Sequence, residues 1–193
     1  SQAGASITTS TGGTFLGYRA GYQLAATGCS ENTAVGADTM LSTGTVTGST
    51  AVGYGALSNT SGNKDRVTCV GAYAGLNVTS GDRATLIGNR AGNSVVAAAD
   101  NTAVGDESLG QGGAAQPVGI NNTTVGSLSL GGNAHTTAFV NNCGLGYKVG
   151  FALTTGTDNT LVGYQAGVAT LPTGTFNSLF GSGTAVSAAG ATY

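Results

Sequence analysis

A large apolar residue followed directly by glycine returns along this chain at a near-constant interval. The glycines are Gly17, Gly36, Gly53, Gly71, Gly88, Gly105, Gly126, Gly146, Gly163 and Gly181, at successive spacings of 19, 17, 18, 17, 17, 21, 20, 17 and 18 residues. Before them stand Leu16, Val35, Val52, Val70, Ile87, Val104, Val125, Leu145, Val162 and Phe180, and two places earlier comes Thr in eight copies, with Cys143 and Ser178 in the other two. Side chains two apart share one face of an extended strand. The pattern predicts one short strand written ten times, with its Thr and apolar columns on the same side. That side is expected to be the stacking core, with Val35, Val52 and Val104 in it.

The flanks of each strand carry turn chemistry. Gly36, Gly53, Gly71, Gly88 and Gly105, with their equivalents, are expected at a corner that needs positive φ or close approach of a neighbouring backbone. Asn stands four places before the glycine in six copies. It tolerates left-handed backbone and bonds its own turn, so it reads as the corner entering the strand. After the glycine comes a second segment (YRAGY, ADTML, YGALS and so on) whose third residue is small or β-branched in every copy. It is expected to be a second strand, followed by a Thr/Ser/Gly/Asn-rich return.

A coil this short cannot bury its apolar face alone. Stacking at ~4.8 Å turns each position into a ladder that satisfies the backbone through its neighbours, and ten coils make a rod about 48 Å long. No sustained 3.6-residue periodicity is present. The expected fold is therefore all-β, a parallel β-solenoid of about ten coils of 17 to 21 residues, with a lead-in at 1–13, repeats over 14–185 and a tail at 186–193. So thin a roll, with such small side chains, is expected to gain burial by trimerising around a shared axis.

Composition narrows the function. Charged residues make up 7% of the chain, the net charge is −2, and the six Lys and Arg are scattered, so no basic patch for nucleic acid is expected. Neutrality and abundant Val and Thr argue against disorder. No apolar run approaches the ~20 residues of a membrane span, and no membrane insertion is expected. Cys29, Cys69 and Cys143 lack metal-ligand spacing and read as small buried thiols.

The pattern N-[ST]-x-[VIL]-G-x-x-[AS]-[GL], seen at 32–40, 101–109 and 159–167, is similar to the head repeats of YadA-like trimeric adhesins and resembles still more the NTAVGYGAL-type repeats of bacteriophage tail fibres. The resemblance implies a left-handed β-roll, three chains around a shared axis, and attachment to host cell-surface glycans or proteins, on a virion tail fibre or another extracellular surface, beside other fibre or virion proteins. The alternatives are a self-assembling extracellular filament subunit and a bacterial trimeric adhesin head.

Candidate sites are few. Glu31, Asp65, Asp82, Asp100 and Asp158 share a corner column that could collect calcium, but Arg66 and Arg83 interleave them and Asp is a common turn residue, so no metal or other cofactor is expected. The single His135 has no motif pairing it with a nucleophile, and Asp106 and Glu107 are expected on opposite faces of a strand, so no catalytic residue and no enzymatic activity are expected. Tyr18, Tyr54, Tyr147 and Tyr164 follow the corner glycine; they read as an interface seam between chains, with stacking on sugar rings the other reading. Insertions at 111–118 and 132–139 are expected as loops, and Gln111, Gln116, Asn133, His135 and Phe139 as receptor-contacting groups, against tolerated drift. Ice binding requires the Thr column to face outward, and its pairing with Val, Leu or Ile argues that it faces inward or into a seam.

Overall fold

In the computed structural model, residues 2–5, 7, 11–24, 28–41, 44–58, 61–96, 99–110, 119–132, 139–168 and 173–185 are described. The described elements are all strands: β1 (Thr14–Leu16), β2 (Thr33–Val35), β3 (Val46–Thr47), β4 (Thr50–Val52), β5 (Lys64–Asp65), β6 (Thr68–Val70), β7 (Gly81–Asp82), β8 (Thr85–Ile87), β9 (Thr102–Val104), β10 (Thr123–Val125), β11 (Cys143–Leu145), β12 (Thr160–Val162) and β13 (Ser178–Phe180). Ten of them form one parallel sheet in the order β1-β2-β4-β6-β8-β9-β10-β11-β12-β13, and β3-β5-β7 form a second on the return segments. The predicted register holds at every step: Thr14 pairs with Thr33, Val52 with Val70, Thr123 with Cys143 and Val162 with Phe180. The chain is a parallel β-solenoid.

The strand's inner and outer faces are the reverse of expectation. The middle residue of each strand points inward: Ala34, Ala51, Cys69, Leu86, Ala103, Thr124 and Leu161 are all fully buried. The flanking Thr and apolar columns point outward; Val35, Val52 and Val104 are only partly covered, and Leu16 and Phe180 are 66% and 65% exposed. Alternation establishes which residues share a face and leaves open which face is inside, so an error of one residue inverts the whole set.

The core is filled by a size exchange between two columns. Where the middle residue is large, glycine stands four places after the corner: Phe15 with Gly21, Leu86 with Gly92, Leu161 with Gly167. In four coils the middle residue is small and a large side chain stands there instead: Ala34 with Met40, Ala51 with Leu57, Ala103 with Leu109, Thr124 with Leu130. Two coils depart from the exchange: Cys69 goes with Gly75, and Gly144 with Gly150, where Leu130 and Leu161 of the neighbouring coils fill the space. A Cβ at Gly92 would sit 2.7 Å from Leu86 Cδ2, so the two sites share one volume.

The corner glycines satisfy both conditions that single them out. Gly36 has φ +133°, and a Cβ there would lie 2.6 Å from the carbonyl oxygen of Gly53 in the next coil. Beyond the corner, the expected second strand is instead a run of turns. Its backbone still bonds coil to coil, as in Asp38 N–H to Tyr18 O (2.9 Å) and Met40 N–H to Ala56 O (2.9 Å), with Arg19, Asp38, Met40 and Leu57 at positive φ. The third residue does point inward: Ala20, Thr39, Ala56, Ala74, Ala91, Ser108 and Ser129 are buried.

The Asn column is also displaced from its expected role. The left-handed residue is the one before it, Glu31, Asp100, Asn121, Asn141, Asp158 or Phe176, with φ between 55° and 61°. The Asn side chains turn inward and stack. Asn122 Nδ2 donates to Asn101 Oδ1 at 3.1 Å, Asn142 Nδ2 to Asn122 Oδ1 at 3.2 Å, and Asn159 Nδ2 to Asn142 Oδ1 at 2.9 Å. Each Oδ1 also accepts the backbone N–H of the next Asn, and each amide reaches a carbonyl of the return segment, such as Phe139 O at 3.0 Å. Buried peptide groups on the return thereby find partners without forming a strand.

Candidate binding face

The outward columns of the ten-stranded sheet concentrate the apolar surface of the molecule. Of the eleven large apolar side chains most exposed among the described residues, nine lie on these strands or directly after a corner glycine: Leu16, Tyr18, Tyr54, Ile87, Val125, Leu145, Tyr147, Tyr164 and Phe180. Only Ile120 and Phe176 stand elsewhere. In-register pairing places the apolar residues in one line along the roll, which makes a continuous stripe of what would otherwise be unremarkable single contacts.

The tyrosines extend the stripe past the corner. Tyr147 and Tyr164 stack with ring centroids 5.5 Å apart at 21°, and Tyr54 meets Tyr73 edge-on at 5.2 Å. Arg19 lies over Tyr18 (5.5 Å), and Lys148 over Tyr147 (5.4 Å) and Phe151 (5.5 Å). The neighbouring Tyr73 phenol raises the Tyr54 pKa, by its charge first and then by its hydrogen bond. These rings combine apolar area with polar tips and suit a partner surface that is largely dry.

The carboxylate column is matched by cations and amides. Arg83 makes a two-pronged contact with Asp100, Nε to Oδ1 at 2.7 Å and Nη2 to Oδ2 at 2.8 Å, which holds the Asp100 carboxyl below its ordinary pKa. Arg66 pairs with Asp65 at 2.6 Å, and Asp158 accepts from Asn141 Nδ2 at 2.9 Å. Glu107 pairs with Arg90 at 3.3 Å, and Arg19 with Asp38 at 2.8 Å. Among the described residues no three His, Cys, Asp or Glu side chains gather in a way that could hold a metal ion.

The expected receptor contacts divide. Gln111, Gln116, Asn133 and His135 lie outside the described residues. Phe139 is fully buried, which corrects its assignment to an exposed loop. It stands seven places before Gly146, in the same column as Val46 before Gly53 and Lys64 before Gly71, and this column points into the roll. Lys64 is the polar member of that column: its amine donates to Ser61 O at 3.1 Å and Gly62 O at 3.4 Å, and burial lowers its pKa to about 8.

Cys29 and Cys69 are buried thiols, as expected, with burial raising the Cys69 pKa to about 12, whereas Cys143 is exposed within the outward Thr column. No helix among the described residues is long and apolar enough to cross a membrane. No protein-family model, curated protein or solved structure matches the chain.

Proposed function

We propose that this chain is a structural and receptor-binding component of a bacteriophage tail fibre, a homotrimer in which the outward face of the ten-stranded sheet lines the seam between chains. One observation carries the seam: the in-register stripe from Leu16 to Phe180, flanked by exposed Tyr18, Tyr54, Tyr147 and Tyr164. An apolar stripe running the length of the roll has the extent and the aromatic content of an obligate interface. The roll's own interior is narrow, with Leu, Val, Met and Phe side chains interleaved with many Ala, Ser and Asn, so association adds burial to a thin core. The fibre assignment rests on the tail-fibre-like repeat pattern.

Host recognition falls to the insertions at 111–118 and 132–138, where Gln111, Gln116, Asn133 and His135 supply polar groups suited to neutral glycans. Phe139 has no part in it. A filament subunit and an adhesin head would use the same seam and differ in what flanks it.

The outward Thr column removes the objection to ice binding that an inward face would have raised. A different feature now opposes it. The column beside the Thr residues runs Leu16, Val35, Val52, Val70, Ile87, Val104, Val125, Leu145, Val162 and Phe180, and unequal side chains flanked by tyrosines make a relief that fits another protein chain better than a crystal plane.

Sedimentation equilibrium tests the seam: the expected mass is three times the 18.6 kDa of one chain. A well-folded monomer that persists on concentration would refute it. Adsorption to host cells, with the two insertions shortened to the regular 17-residue spacing, tests recognition separately; normal adsorption by a folded trimer would move the receptor site elsewhere.

A further inference from the structure

Two corner columns border the ten-stranded sheet, and both have a left-handed backbone in every coil. Five places before the corner glycine φ runs from 54° to 68°, and two places after it from 52° to 64°. The turn fixes the conformation there and leaves the side chain free to vary. Ten of the fourteen charged residues of the chain stand in these two columns. Many are paired along their own column: Arg19 with Asp38, Arg90 with Glu107, and Arg83 with Asp100. Three lack an opposite charge. Among the described residues Lys148 meets no carboxylate and lies over the Tyr147 and Phe151 rings, Glu31 meets no cation, and Asp158 accepts from the Asn141 amide.

In a ring of three chains unlike edges meet, so the border after the glycine on one chain faces the border before the strand on the next. Level coils would set Asp38 against Glu31, Arg90 against Arg83 and Glu107 against Asp100, like charges each time. A shift of one coil backward sets Arg90 against Arg66 and leaves Lys148 against Asn121. A shift of one coil forward sets Arg19 against Glu31, Arg90 against Asp100 and Lys148 against Asp158, with no like charges opposed. The same shift lays Tyr54 and Tyr73 against Arg66 and Arg83, and Tyr164 against the exposed Phe176. Such a ring closes if each strand climbs one coil spacing between its borders, ~4.8 Å over roughly 20 Å, a tilt of about 14° in the sense in which the coil itself advances.

We infer that these borders set the register of the seam: each chain docks on the next one coil out of step, selected by Lys148 on Asp158 and Arg19 on Glu31 of the neighbouring chain. The inference rests on the trimeric seam proposed above and adds its alignment. The apolar stripe nearly repeats itself at every coil, so burial alone favours several alignments almost equally. Charges that do not repeat break that degeneracy, because a wrong alignment sets like charges together.

Disulfide trapping on the full chain tests the register, with Cys143→Thr as background because that thiol is exposed on the same face. Lys148→Cys combined with Asp158→Cys should, on mild oxidation, link chains into covalent dimers and trimers that reduction releases. Lys148→Cys combined with Asn141→Cys (level coils) or with Asn121→Cys (backward shift) should link far less. A protein that sediments as a trimer but links equally through Asn141→Cys or Asn121→Cys, or not at all through Asp158→Cys, would overturn the register and leave the seam standing. A monomer in sedimentation would overturn both. Without engineered thiols, Lys148→Glu should raise the concentration at which the trimer half-dissociates at least about tenfold, and adding Asp158→Lys should restore it. An unchanged midpoint, or no recovery in the double variant, would also overturn the register.

Discussion

Replacing Asn122 by Ala should destabilise the centre of the roll by several kcal/mol, although no apolar core residue is touched. Its amide donates to Asn101 Oδ1, Ile120 O and Phe139 O at 3.1, 3.3 and 3.0 Å, and its Oδ1 accepts Asn142 N–H at 3.0 Å and Asn142 Nδ2 at 3.2 Å. Some of the groups left behind keep partners: Asn101 Oδ1 still accepts Asn122 N–H at 2.9 Å, and Asn142 Nδ2 still reaches Gly156 O at 3.0 Å. Asn142 N–H loses its buried acceptor and Phe139 C=O loses one donor; at about 1–3 kcal/mol for the stranded N–H, with the other lost bonds adding to it, the expected cost is roughly 2–4 kcal/mol. Asn122→Ser should recover part of it, because Ser49 already plays this role, its Oγ accepting Val67 N–H at 3.1 Å. Asn177→Ala should cost less: its Oδ1 accepts nothing among the described residues, and although its Nδ2 donates to Asn159 Oδ1 at 2.9 Å and Thr175 O at 3.1 Å, Asn159 Oδ1 retains Asn177 N–H at 3.0 Å. Urea denaturation gives the totals, and hydrogen exchange should place the loss in the coils around β10, because each coil depends chiefly on its neighbours. Equal stabilities for the Asn122 and Asn177 Ala variants would refute the ladder as a source of stability.

Ala103→Asp and Val104→Asp should separate fold from seam: the first buries an unpaired charge and should cost several kcal/mol and lower the melting temperature, while the second should leave a folded chain that no longer sediments as a trimer. Melting of the Val104 variant to the same degree as the Ala103 variant would contradict the outward assignment. Lys64→Met should stabilise the protein at pH 7. With the folded pKa near 8 and an unfolded value near 10.5, the unfolded chain holds its proton longer, so the burden of charged Lys64 is fully present below pH 8 and is relieved as pH rises toward 10.5, worth roughly 3 kcal/mol. Indistinguishable pH profiles of melting temperature for wild type and variant would exclude this. Gly36→Ala combines φ +133° with a 2.6 Å approach to Gly53 O and should cost more than about 2 kcal/mol by thermal melting; a neutral result would mean that neighbouring coils separate freely.

The repeat interval makes most of the architecture legible in the sequence. Period, register and corner glycines follow from one requirement, that every coil meet an identical neighbour, and a requirement repeated ten times rises above local noise. The inner face of the strand was not legible from Val104 and Thr102, because parity alone does not choose a side and a seam wants β-branched residues as much as a core does. The deciding signal lay in the exchange between Leu86 with Gly92 and Ala103 with Leu109, which only makes sense if both columns occupy one interior volume. The turn propensity of a single Asn points to the corner and does not show the stacked column. Its inward role shows in what precedes it: Glu31, Asp100, Asn141 and Phe176 have nothing in common but their backbone, as expected of a site chosen for φ and not for its side chain. Phe139 ends an insertion, which points to a loop, yet its count back from Gly146 puts it among the core positions.

The size exchange in the interior also makes length a heritable variable of this molecule. Because most coils balance their own volume between the middle strand residue and the position four beyond the corner, a coil such as that of Ala103 and Leu109 can be duplicated or removed whole with little void or clash in its neighbours, whereas the coil of Gly144 and Gly150 depends on Leu130 and Leu161 beside it. One such event changes the reach of the rod by about 4.8 Å and leaves both ends as they were. Point mutation inside either column lacks that freedom, since enlarging one member requires a simultaneous loss at the other. Unequal recombination between repeats is therefore the path of least structural resistance, and relatives of this chain should differ by whole coils more readily than by altered ones.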